Sequence, residues 1–200
     1  RRRGGWLNAD CRIDIGTEPF YLTLREGELL GLVGERGCGK TTLMLAFLRL
    51  LPAAGRIVSG EVNFGGRDLL ALSETEMSDV RWRDVAMIFQ GAMNALNPVR
   101  TVGDQIGEAL QRHIPLFHKS ALDARVSELL DLVGIAPARK SQYPHQYSGG
   151  MRQRAMIAMA LACNPQVVMA DEPTTALDVM IQAQILELLA NLRRQLGLAV

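Results

Sequence analysis

Nine consecutive residues, Gly34-Glu35-Arg36-Gly37-Cys38-Gly39-Lys40-Thr41-Thr42, restrict the fold of this 200-residue chain more than any other feature. They fit the pattern G-x-x-x-x-G-K-[ST], and their surroundings suit it. The apolar run Leu29–Val33 before them reads as a buried strand; Lys40 to Leu51 after them reads as a helix closed by Pro52. Between a strand and a helix, the glycines let successive backbone N–H groups turn inward. The result is a concave cradle for phosphate oxygens at the positive end of a helix. Lys40 is placed to reach the β- and γ-phosphates of a nucleotide, and the Thr41 hydroxyl to ligate Mg²⁺. With both flanks present, a mere glycine-rich turn is the lesser explanation.

Such a loop needs a carboxylate on the metal side, and Val167-Val168-Met169-Ala170-Asp171-Glu172 supplies one. An apolar strand delivers Asp171 at its carboxyl end, where open α/β sheets bind ligands. Asp171 is expected to hold Mg²⁺ directly or through water. Glu172, one residue on, is placed to polarise an attacking water, which makes ATP hydrolysis the expected reaction. A second anion site stands at Tyr147-Ser148-Gly149-Gly150-Met151-Arg152-Gln153-Arg154. Ser148 is a good N-cap for the helical run that follows, and the two glycines leave helix-terminal amides bare.

The rest of the chain alternates strands and helices. Ile57–Phe64 alternates like a strand, with Gly65-Gly66 as its turn, and Val85–Phe89 is a short apolar strand. Asp178 to Leu196 is helical, with Ile181, Ile185, Leu188, Leu192 and Leu196 on one face and Gly197 as C-cap. Leu198-Ala199-Val200 opens a further strand. Roughly Asn94 to Tyr147 differs: Val126, Leu129, Leu130 and Val133 keep helical spacing, and prolines stand at 98, 115, 137 and 144. This stretch reads as a helical subdomain inserted into an α/β core.

Composition narrows the function. Lys and Arg number 22 against 21 Asp and Glu, for a net charge of +1, and hydrophobic residues make up 48%. Those values match an average globular chain and argue against wholesale disorder. The charge is spread evenly, so a general basic face for nucleic acid is disfavoured. The longest apolar stretch, Ala155 to Cys163, has nine residues, against about 20 for a membrane span. Arg1-Arg2-Arg3 is followed by no apolar run, so it opens no secretory signal. Cys11, Cys38 and Cys163 lie far apart, which argues against a zinc or disulfide framework and suits a reducing cytosol. A chain that opens on Arg1 and stops at Val200 in an apolar segment reads as a fragment.

Ser148-Gly-Gly-Met-Arg-Gln-Arg followed by Asp171-Glu-Pro-Thr-Thr-Ala-Leu-Asp178 resembles the signature motif, Walker B and D-loop of ABC transporter ATPases. The resemblance spans roughly Leu24 to Gly197, in the family's order. Phe89-Gln90 with Met93-Asn94-Ala95-Leu96-Asn97-Pro98 looks like the Q-loop of the dipeptide/oligopeptide/nickel permease branch. Pro144-His145-Gln146-Tyr147 and Val179-Met180-Ile181-Gln182-Ala183-Gln184-Ile185-Leu186 point to the same branch. The implied fold is α/β: a P-loop NTPase (RecA-like) core with an N-terminal antiparallel β part and an inserted helical subdomain. One domain over 1–200 would then comprise a core of 1–93 and 155–200 and a helical part of 94–154 ending in the signature.

The resemblance also implies how such a chain works. Two ATPase subunits, identical or sister chains, would stack head to tail. Each ATP would lie between Gly34–Thr42 of one and Ser148, Gly149 and Gly150 of the other, with Asp178 crossing the interface. The physical logic agrees, since one chain offers two phosphate-binding surfaces that cannot both face one nucleotide. Gln90 would touch Mg²⁺ or the attacking water and relay the site's state to a transmembrane permease, fed in turn by a solute-binding protein. The expected location is peripheral, on the cytoplasmic face of the inner membrane.

Departures from the family stand out as well. Arg36 and Cys38 replace the usual serines, and Tyr147 a leucine or phenylalanine. The family's adenine-stacking aromatic belongs near Cys11–Gly16, where no aromatic stands; Trp6, Phe20 and Tyr21 are weak substitutes for it and read rather as packing residues. The family's switch histidine would follow Val200. His113, His118 and His145 precede Walker B, cannot replace it, and read as surface or helix-packing residues. The leading expectation is therefore the ATPase of an importer of peptides or a related small solute. An ABC-type ATPase of DNA repair or chromosome maintenance is the alternative, although Gln90 to Ser148 holds no long heptad array and no cysteine cluster. A small-molecule P-loop kinase would leave the signature unexplained.

Overall fold

A computed structural model describes residues 7–9, 21–91, 95–114, 118–175 and 177–200. Strands β1 (Leu7–Ala9), β2 (Leu22–Leu24), β3 (Asn63–Phe64) and β4 (Arg67–Asp68) form an antiparallel sheet in the order β2-β1-β3-β4. Gly65 and Gly66 join β3 to β4 with φ of 58° and 79°. Two successive positive φ angles define the type I′ turn that matches strand twist in a tight hairpin. The strand expected over Ile57–Phe64 is confined to its last two residues. Gly60 has a φ of 126°, which turns the chain out of the ladder, and no strand pairs with residues 57–60 among the described residues.

The second layer is parallel. Strand β5 (Val85–Ile88) pairs with β6 (Val167–Ala170), Val85 opposite Val167. Along the free edge of β6, the Val168 N–H donates to the Ala199 carbonyl and the Ala199 N–H to that of Gln166, both at 2.9 Å. Val200 continues outward: its N–H donates to the Glu28 carbonyl, and its own carbonyl accepts from Leu30 N–H, both at 2.8 Å. The segment before the glycine-rich loop is thus attached to the sheet through Val200. It is not the buried strand expected over Leu29–Val33, since Leu29 is 58% and Val33 95% exposed. Only its first half finds a ladder partner among the described residues, and a strand exists only where a neighbour takes its backbone groups.

Helix α1 (Lys40–Phe47) ends four residues before the expected Leu51. Arg49 sits in the left-handed region (φ 53°), the Leu50 N–H reaches back to Leu45 O at 2.8 Å, and the Arg49 N–H to Ala46 O at 3.0 Å. That is a Schellman stop, with an arginine where glycine is usual. Side chains from elsewhere hold it: Arg81 donates to Leu48 O (2.8 Å) and Arg49 O (3.3 Å) and pairs with Glu74, which also faces Arg49. Glu74 opens helix α2 (Glu74–Val80), whose start carries a Ser73–Glu76 capping box. The hydrogen bond from Arg81 holds the Glu74 carboxyl below its usual range. Its ion pair therefore supports the fold above that range and is lost as pH falls through the lowered value. Arg81→Met, which keeps the apolar stem, should lower stability by about 1–3 kcal/mol through the lost bonds to the helix carbonyls. An unchanged urea midpoint for that variant would show the cap to be dispensable.

Helices follow from residue 102: α3 (Val102–His113), α4 (Lys119–Leu132), α5 (Gly149–Ala160) and α6 (Val179–Leu196). Short 3₁₀ turns at Pro137–Ser141 and Pro144–Gln146 lead into α5. Val126, Leu129, Leu130 and Val133 are buried, as their spacing predicts. They share one apolar cluster with Ile106 and Leu110 of α3, Ile157 of α5, Ile88 and Val168 of the parallel strands, and Ile185 of α6. Gly197 closes α6 at φ 66°. Tyr21, expected to pack, is 67% exposed because nothing among the described residues covers it. Trp6, Phe20, the Cys11–Gly16 stretch, and Met93 and Asn94 of the Gln90 loop lie outside the described residues.

Candidate functional site

The glycine-rich loop owes its shape to three glycines. Gly37 and Gly39 take φ of 82° and 96°, which side-chain-bearing residues resist, and a Cβ on Gly34 would lie 2.6 Å from Cys38 Sγ. Gly39 caps α1 without a side chain, and no acidic residue occupies the first turn. The first amides of the helix are therefore left to an outside anion. Lys40 Nζ donates to Gly34 O at 2.8 Å and Glu35 O at 2.9 Å, and lies 3.6 Å from Cys38 Sγ. The ammonium thus tethers the loop to its own helix, on the side where phosphates would enter. Glu35, Arg36, Cys38, Thr41 and Thr42 are all exposed.

Strand β6 carries Asp171 and Glu172 to this loop. Lys40, Asp171 and Glu172 stand on the wall of one cavity of about 320 Å³ whose other lining is almost wholly apolar, from β2, α1, β5 and β6. Asp171 is only 2% exposed, and its N–H is bound to Ile88 O at 2.9 Å, which fixes the end of β6 against β5. Glu172 is exposed and has a φ of 44°. The end of β5 brings Gln90 across the sheet, and its Nε2 donates to Glu172 Oε2 at 2.6 Å. Thr175 Oγ1 donates to that same oxygen at 2.8 Å, a contact the sequence reading missed. Its only trace in the sequence is a hydroxyl residue three places after Glu172.

Ser148, Gly149, Gly150 and Asp178 form a second group. Ser148 Oγ accepts from Met151 N–H at 3.3 Å at the start of α5, and Asp178 Oδ1 from Ile181 N–H at 2.9 Å at the start of α6. The two helix starts touch, for a Cβ on Gly150 would lie 2.9 Å from Ile181 Cγ2. Tyr147, just before the cap, is 3% exposed and donates its hydroxyl to Arg139 O at 3.1 Å, anchoring the loop; burial raises its pKa. Among the described residues, no hydrogen bond links this group to Gly34–Thr42. His118 and His145 are exposed and His113 is half-buried; burial, ahead of Arg112 and Arg83, lowers the pKa of His113. No helix among the described residues is long and apolar enough to cross a membrane.

A family model described as ABC transporter matches residues 17–175. A probable peptide ABC transporter ATP-binding protein of Sinorhizobium fredii, y4tR, is 56% identical over 189 residues, covering 93% of this chain and 56% of that protein. The dipeptide transport ATP-binding protein DppD of Bacillus subtilis is 51% identical over 180 residues, covering 88% and 53%. The chain therefore spans about half the length of the curated relatives it matches. Among solved structures, the dimeric post-hydrolysis state of the ATP-binding cassette MJ0796 bound to ADP and Pi superposes with a TM-score of 0.76. It shares 27% identity, over 96% of this chain and 84% of that one. The cbiO1 protein of Clostridium perfringens, at 23% identity and a TM-score of 0.81, shares the fold over 99% of this chain and 76% of its own. In fold, in the order of its motifs and in its relatives, the chain belongs to the ABC transporter family.

Proposed function

We propose that this chain binds and hydrolyses ATP as the motor subunit of an importer of peptides or a related small solute. The observation that carries this reading is the cavity shared by Lys40, Asp171 and Glu172, with Gln90 hydrogen-bonded to Glu172. Bare loop amides and Lys40 suit the triphosphate. Water attacks the γ-phosphorus, its proton passes to the Glu172 carboxylate, and ADP departs. The nearly buried Asp171 carboxylate, the exposed Thr41 hydroxyl and the Gln90 amide oxygen are the hard oxygen donors that Mg²⁺ prefers, and these residues would hold it. When bound, the ion would neutralise charge developing on the phosphates.

The same geometry supports a two-subunit assembly. Ser148, Gly149, Gly150 and Asp178 cluster at two adjoining helix starts with no bond to the Lys40 loop, which supports contact with a nucleotide held by a second subunit. The helical part, 94–154, would carry that signature surface, and 1–93 with 155–200 the nucleotide. Transmembrane permease subunits would bind this chain at the cytoplasmic face, with a solute-binding protein acting indirectly. The names of the relatives favour peptide import over DNA maintenance, and no nucleic-acid partner is proposed. Copurification with a permease, and turnover indifferent to added DNA, is the expected result. Turnover that requires DNA would overturn the importer reading.

Cys38 offers a direct probe of the loop. Its thiol is exposed, whereas Cys163 is buried, and burial pushes that thiol up to about 11. In a Cys11→Ser background, alkylation should strike Cys38 first and Cys163 only after unfolding. Saturating MgATP should slow the Cys38 reaction; an unaltered rate would remove the loop from the nucleotide site.

A further inference from the structure

We infer that Thr175 is a positioning residue for hydrolysis, holding the Glu172 carboxylate in its working orientation when Gln90 lets go of it. This inference rests on the reading of Glu172 as the group that activates water. Thr175 Oγ1 and Gln90 Nε2 both donate to Oε2 of Glu172, at 2.8 and 2.6 Å. With both donors on Oε2, Oε1 is left to accept from a water molecule. The two donors differ in how they are tied to their acceptor. Gln90 stands 82 residues away in sequence, at the end of β5, and the proposed mechanism requires it to turn toward Mg²⁺ or the water. Thr175 is local: its N–H also donates to Glu172 O at 3.1 Å, closing a turn around the glutamate.

That local turn does what the backbone at Glu172 cannot. The residue has a φ of 44°, in the left-handed region that non-glycine residues avoid. Its side chain is exposed and, without donors, would rotate freely in solvent. One hydroxyl from three residues on fixes one carboxylate oxygen and so limits where the other can lie. Orientation of a catalytic base is worth a large rate factor, because reaction requires near-attack geometry. In this role the hydroxyl acts through Glu172, whose Oε2 it binds.

The test is a cycle of variants in the full-length protein, assayed for ATP hydrolysis and ATP affinity. Thr175→Val keeps the shape and removes the donor; kcat should fall by about tenfold to a hundredfold with KM within about twofold. Thr175→Ser restores the donor and should recover most of kcat. In a Glu172→Gln background, Thr175→Val should cost little more, since the two act through one group. Losses that multiply, or a Thr175→Val enzyme with wild-type kcat beside an inactive Glu172→Gln enzyme, would overturn this inference and leave the ATPase reading standing. A wild-type protein without ATP turnover would end both. Thermal melting of each variant separates lost folding from lost positioning, and Thr175→Ala supplies the same cycle should the valine disturb the turn.

Discussion

Lys40→Ala should leave the chain folded and reduce ATP turnover by about two to three orders of magnitude, with nucleotide affinity falling alongside. Among the described residues, the ammonium is the one side-chain cation hydrogen-bonded to the loop, through Gly34 O at 2.8 Å and Glu35 O at 2.9 Å. Both carbonyls belong to exposed residues, so water replaces the lost bonds and the fold stays intact. The phosphates have no such substitute. A point charge reaching the β- and γ-oxygens offsets charge that grows as the terminal bond breaks, and it does so inside a cavity it shares with Asp171 and Glu172. Equilibrium binding of a fluorescent ATP analogue, read beside a melting curve, separates the effects. Wild-type turnover in the variant would overturn the assignment of the loop.

Glu172→Gln should slow hydrolysis by roughly two to four orders of magnitude, the range for a general base, while ATP still binds. An amide has the carboxylate's shape, and its oxygen accepts from Thr175 as the carboxylate does, so the site keeps its form and loses only the proton acceptor. If Ser148 and Gly150 engage ATP held by a partner subunit, unspent nucleotide should hold two subunits together. Light scattering with MgATP should then report a dimer that disappears when ADP replaces ATP. A monomer at saturating ATP, with affinity unchanged, would count against the sandwich arrangement. Retained turnover would remove Glu172 from the reaction.

The local shape of each motif was legible in the sequence, because a loop or a cap is made by neighbouring residues. Gly37 and Gly39 take the positive φ angles that a phosphate loop needs, Ser148 and Gly197 cap the helices their positions suggest, and Asp178, expected as the first helical residue, is the N-cap instead. Periodicity located the buried faces of α4 and α6, since a helix satisfies its own backbone and only its stripe answers to neighbours. Strands differ, because their hydrogen bonds lie in other parts of the chain. Among the described residues, Ile57–Phe64 alternates correctly yet pairs only at Asn63–Phe64, and the apolar Leu29–Val33 is bound only as far as Leu30, by Val200. Helix α1 stops early because Arg81, more than thirty residues on, holds its last carbonyls. In the site, the sequence determined which groups are available: a lysine, two adjacent carboxylates, a glutamine and a capped glycine pair. Only the tertiary structure decided which of them meet. Gln90 reaches Glu172, 82 residues on, because β5 and β6 lie in parallel register, Ile88 opposite Ala170, and that pairing joins backbone groups far apart in the sequence.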